Sequence, residues 1–164
     1  MIEYIKFGVV LLILILIQKS LIWLIAITEY QITPDIILIG VVYLGIKKGK
    51  IPGSAGGFAA GLIFDLFSFS FLGLSALSKS TSGFISGFFN NENKIDKYSK
   101  TYEFIFILFI SSLINNFLYF WIYFQGTSLY FSQILLRYII PSAVYTSLFG
   151  IPFIIFNKRR SAKR

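Results

Sequence analysis

Residues 51–89 read IPGSAGGFAAGLIFDLFSFSFLGLSALSKSTSGFISGFF and carry only two charges, Asp65 and Lys79. A tight turn at 68–71 divides them into two apolar segments, 51–67 and 72–89. Gly53, Gly57 and Gly61 recur every four residues, with Gly56 and Ala60 beside them, so one face of the first segment is nearly bare backbone. Ala76, Ser80, Gly83 and Gly87 answer at helical spacing on the second. Lipid provides no hydrophobic push between helices, so association there depends on close backbone approach. The pattern predicts a helical hairpin inside a bilayer. The glycine stripe either packs this hairpin or presents a face to a partner helix.

The surrounding sequence extends the membrane reading to the whole chain. Of its 164 residues, 56% are hydrophobic and 13% charged, and the mean hydropathy is +0.77. A soluble domain carries about 25% charged residues. So few charges cannot cover so much apolar surface in water. Further apolar segments fall at 7–27, 36–46, 104–124 and 137–156. The run after Lys6 is too long for a signal-peptide core and no A-x-A site follows it, so it reads as a first membrane helix. Segment 36–46 is short for a hydrocarbon layer about 30 Å thick. Pro141 and Pro152 are expected kinks in the last segment. The resulting expectation is an all-α integral membrane protein of six transmembrane helices, with one domain over 1–156 and a basic cytoplasmic tail at 157–164.

Charge placement predicts the orientation. Twelve of the fifteen basic residues fall in segments 1–6, 47–50, 90–103 and 157–164, while the turns near 29–35, 68–71 and 125–132 hold none. Under the positive-inside rule both termini are cytoplasmic. The net charge of +8 is then an orientation signal that also meets anionic lipid, and nucleic acid is not required as a partner.

Ionisable groups at membrane depth are costly and should find partners. Asp65 and Lys79 lie on either side of the 68–71 turn, and a lysine stem can span the difference in depth, so a buried Asp65–Lys79 pair is expected to pin the hairpin. Asn115 and Asn116, midway along 104–124, are expected to form interhelical hydrogen bonds. The chain has neither cysteine nor histidine, which removes thiol nucleophiles, imidazole bases and the commonest metal ligands. There is no phosphate-binding glycine loop followed by Lys-Ser/Thr. An enzyme is not expected, and neither a cofactor nor a metal site is implied.

One ordered pattern resembles a known family. A helix ending near Gln18 precedes Pro34-Asp35, which opens PDIILIGVVYLGIKKGKIPG; then comes GGFAAGLIFDLFS with Asp65, and then FLGLSALSKSTSGFISGFF with Gly73, Leu74 and Lys79. This order resembles the bacterial rod shape-determining MreD family, most strongly over residues 30–90. The resemblance carries Pro34, Asp35, Gly57, Gly61, Asp65, Gly73, Leu74 and Lys79 as family-pattern positions. It implies a fold similar to the S-components of ECF vitamin transporters. It further implies a noncatalytic inner-membrane scaffold of the cell-elongation complex, or elongasome. Such a scaffold acts with the bitopic protein MreC, the glycosyltransferase RodA with its transpeptidase, and the actin-like MreB in peptidoglycan biosynthesis and cell shape. The alternative is a small-molecule-binding S-component-like transporter subunit, with a cavity lined by Asp35, Asp65, Lys79 and Asn115. A pore is a third possibility, although the helices carry few polar residues for an aqueous lining.

Overall fold

The computed structural model describes residues 2–20, 32–68, 71–91, 98 and 101–161. Among them the regular elements are six helices: α1 (Ile2–Ser20), α2 (Ile36–Lys48), α3 (Lys50–Ser68), α4 (Leu74–Ser86), α5 (Tyr102–Tyr123) and α6. A 3-10 turn, Gly87–Phe89, extends α4. Helix α6 is continuous through Phe131–Ile134, a π-helical turn Leu135–Ile139, and Ile140–Ser161. The π turn lies just before Pro141, which has no N–H and would crowd the carbonyl of Arg137 in a regular helix. The backbone widens so that Ile140 N–H donates to Leu135 O, five residues back. Pro152 lies within the helix.

The segments expected at 51–67, 72–89 and 104–124 correspond to α3, α4 with its 3-10 extension, and α5, within a few residues at each end. The last segment differs, because α6 begins at Phe131 rather than near 137. Only three stretches of the described residues are long and apolar enough to cross a membrane: Lys50–Ser68, Tyr102–Tyr123 and Phe131–Ile155. The described residues thus show three spans of that length where six transmembrane helices are expected. Lys6–Gln18 is apolar but shorter. At 13 residues each, α2 and α4 are about 20 Å long and fall short of a hydrocarbon layer about 30 Å thick.

Helix α2 is the central post. Nine of its residues are buried, from Ile37 to Ile46. A helix apolar all round belongs either in lipid or in a protein core, and α2 takes the core. One side packs Leu38, Ile39, Val42 and Ile46 against Phe104, Ile107 and Leu108 of α5. The other packs Ile37, Val41 and Leu44 against Leu11 and Ile15 of α1 and Ala60 of α3. Gly49 alone joins α2 to α3, at φ +94°, which an L side chain rarely adopts.

The glycine stripe is consumed inside the chain. A methyl group on Gly53 would collide with Gly83 O, one on Gly57 with Lys79 O, and one on Gly61 with Ser75 O and the Ala76 backbone. Gly87 lies as tightly against Lys50. Ser54 and Ser80 join α3 to α4 through their hydroxyls at 2.8 Å. This contact is the intramolecular option of the two open from sequence, and it leaves no bare stripe for a partner helix.

The two ends of the bundle differ. At one end, Lys47 lies over the rings of Phe7 and Tyr43, Lys50 lies 3.6 Å from the Phe88 ring centre, and Asn90 donates to Ile46 O. At the other, Tyr123 meets Phe71, Phe124 meets Tyr138, and Trp121 meets Phe131, forming an aromatic belt of the kind found where a membrane meets water. Between them, large apolar side chains such as Leu16, Phe58, Phe106 and Leu148 are half exposed or more. The basic residues in 92–97, Lys100, and the Glu29 part of the 29–35 turn lie outside the described residues.

Candidate functional site

The polar groups of the core gather around the start of α2. Pro34 biases the chain before it away from helix, and Asp35 begins α2 as its N-cap, its Oδ1 accepting from Leu38 N–H at 2.9 Å. Gln18 of α1 clamps the same entry from both sides: its Nε2 donates to Pro34 O at 2.9 Å and its Oε1 accepts from Ile36 N–H at 2.8 Å. Asp35 N–H donates to Thr146 Oγ1 of α6 at 3.0 Å. Lys79 of α4 reaches across, its Nζ 2.5 Å from Asp35 Oδ2 and 5.6 Å from the centre of the Phe64 ring on α3. Asp35 thus joins α2, α4 and α6, and its neighbours Pro34 and Ile36 add α1 through Gln18.

The depth of this cluster differs from expectation. Asp35 was expected in a polar turn at the membrane surface. It sits instead beside Thr146, fifteen residues into α6, or about 22 Å along that helix from Phe131. Its side chain is 18% exposed and that of Lys79 is 5% exposed. Helix α2 therefore starts partway through the membrane thickness. A helix end at that depth leaves N–H groups that water cannot reach, and Asp35 answers both those groups and the positive end of the helix dipole.

The expected Asp65–Lys79 pair is also corrected. The salt bridge of Lys79 is to Asp35, whereas Asp65, 1% exposed, accepts from the backbone N–H groups of Gly73 (2.9 Å), Ser75 (3.1 Å) and Ala76 (3.4 Å). Gly73 enters α4 at φ +97° with no side chain to cap the helix. The turn folds α3 back so that its Asp65 serves as cap from the neighbouring helix.

A serine ladder continues down α4. Ser75, Ser78, Ser82 and Ser86 are all at or below 1% exposure. Ser82 Oγ donates to Ser78 O and to Ser111 O of α5, tying the two helices. Asn115 and Asn116, expected to bond between helices, bond within α5 in the contacts resolved: Asn115 Nδ2 to Asn116 Oδ1, and Asn116 Nδ2 to Ser112 Oγ. Thr146 and the serine ladder were not singled out from the sequence. The ladder has a signal there, serine at 75, 78, 82 and 86 on one helical face; Thr146 has none.

Among the described residues no group of three His, Cys, Asp or Glu side chains could hold a metal ion. The contacts resolved for Asp35, Asp65 and Lys79 go to helix ends and to one another. What the arrangement does chemically is fix helix register.

The fold and this polar cluster define a small helical membrane protein whose buried charges tie its own helices together. A model of the rod shape-determining protein MreD matches residues 2–159, and the chain belongs to that family of rod shape-determining membrane proteins. No curated protein and no solved structure matches it.

Proposed function

We propose that this protein is a noncatalytic scaffold subunit of the bacterial cell-elongation complex, seated in the inner membrane and binding an MreC-like bitopic protein. Through that complex it serves a RodA-type glycosyltransferase with its transpeptidase and an MreB-like actin. The family match over residues 2–159 carries the reading. The commitment of Asp35, Asp65 and Lys79 to internal contacts supports a structural role, as does the consumption of the glycine stripe. In this proposal residues 1–156 form one domain of six passes, S-component-like, with both termini and the basic tail in the cytoplasm. The short helices α2 and α4 then complete their passes with flanking residues or a locally thinned layer. Lys47 and Lys50 at one end and the aromatic belt at the other support the orientation.

The test is complementation. In a rod-shaped bacterium depleted of its own family member, a tagged copy of this chain restores rod shape and copurifies in detergent with the MreC-like protein. Rounded cells with no MreC-like protein recovered, or recovery of an ATPase pair with a bound small molecule, defeats the proposal.

A further inference from the structure

Midway along the α4–α5 contact, three buried polar atoms have no hydrogen-bond partner among the described residues: Ser75 Oγ, Ser111 Oγ and Asn115 Oδ1. Their residues are 1%, 0% and 3% exposed. Neighbouring side chains are already engaged. Ser78 Oγ donates to Ser75 O, Ser82 Oγ to Ser78 O and Ser111 O, and Asn115 Nδ2 to Asn116 Oδ1.

The two helices run antiparallel and are tied at two levels. The Ser82–Ser111 hydrogen bond makes one tie, and the Phe71–Tyr123 ring contact makes the other. Ser75 falls between those ties on α4, and Asn115 falls between them on α5, one turn beyond Ser111 on the same face. All three orphan atoms therefore lie along a single interface, Ser111 level with Ser82 and Ser75 about 10 Å from that level along α4. An unpartnered polar atom in a membrane interior is strongly disfavoured, because no solvent is at hand to satisfy it.

We propose that this stretch of the interface is an internal water site. The amide oxygen of Asn115 only accepts, whereas each serine hydroxyl both donates and accepts. The molecules that satisfy them must therefore supply donors and acceptors together, and must be small enough for a helix interface. Water meets both needs, and buried waters make two to four hydrogen bonds of this kind. Lipid chains have neither donor nor acceptor. The site hydrates the α4–α5 contact just beyond the start of α4, where Asp65 holds Ser75 N–H.

Water-edited solid-state NMR of the full chain in liposomes tests this with water itself as the probe. Magnetisation from water should reach the Asn115 side-chain amide several-fold faster than the backbone amide of Leu108, which is fully buried on the same helix. A second measurement reads the sign of a minimal deletion. Ser111→Ala lowers the melting temperature by a few degrees if the hydroxyl is bonded to water. It leaves that temperature unchanged or raises it if the hydroxyl sits dry and unpaired. Build-up at Asn115 no faster than at Leu108 overturns the proposal, and so does an unchanged or raised melting temperature.

Discussion

Replacing Lys79 by methionine keeps the length of the stem and removes its charge. Asp35 then remains 18% exposed, in a protein interior surrounded by lipid, without its counter-charge. Removing one partner of a buried pair costs about 3–5 kcal/mol, because the other charge is left uncompensated. For a chain of this length each kcal/mol moves the melting temperature by about 2–4 °C, so Lys79→Met should melt about 6–20 °C lower. Adding Asp35→Asn removes the stranded charge and retains a side-chain oxygen for Leu38 N–H. The double variant should therefore recover most of the loss. The assay is tryptophan fluorescence during heating in detergent, checked by size-exclusion of heated samples. If Lys79→Met melts within about 2 °C of the parent, or the double variant is no more stable than Lys79→Met, the ion pair does not hold these helices and the reasoning fails.

Asp65→Ala should cost about 2 kcal/mol by leaving the N–H groups of Gly73, Ser75 and Ala76 without their acceptor, and Asp65→Asn should cost less; thermal melts of the two against the parent check the order. Gly57→Val should abolish the close α3–α4 approach and prevent recovery of monodisperse protein, whereas Gly8→Ala, with open space around it, should behave as the parent on size-exclusion. The chain has no cysteine, so single cysteines report topology cleanly. One at Lys48 should react with an impermeant thiol reagent only after the inner face is opened, and one at Gly126 in intact spheroplasts; the reverse pattern would invert the proposed orientation.

The hairpin was legible because its determinants are local. Gly53, Gly57 and Gly61 declare a bare face at a fixed helical period, and the structure packs that face against the backbone of α4. The partner of Lys79 was not legible, because it depends on depth. Sequence distance favoured Asp65, fourteen residues away, over Asp35, forty-four away. Nothing in EYQITPD shows that α2 begins below the membrane surface, and only the contact with Thr146 reveals it. Thr146 itself is one of several hydroxyls on α6, with Ser142 and Ser147 buried beside it, and such residues ordinarily bond their own backbone.

Depth also explains why two aspartates and one lysine share this region. Helices α2 and α4 run in the same direction, and both begin with N–H groups that have no partner within the helix. Each helix start carries about half a positive charge. Asp35 meets one and Asp65 the other, and each supplies oxygens to N–H groups that would otherwise be orphaned. The two helix starts and the ammonium of Lys79 then lie against the two carboxylates. Had Lys79 paired with Asp65, the cap of α4 would have had to share its oxygens with the ammonium, and Asp35 Oδ2 would have lost the donor it has in Lys79. The pairing in the structure gives the lysine to the aspartate that caps with one N–H group, and leaves the other free to accept from three.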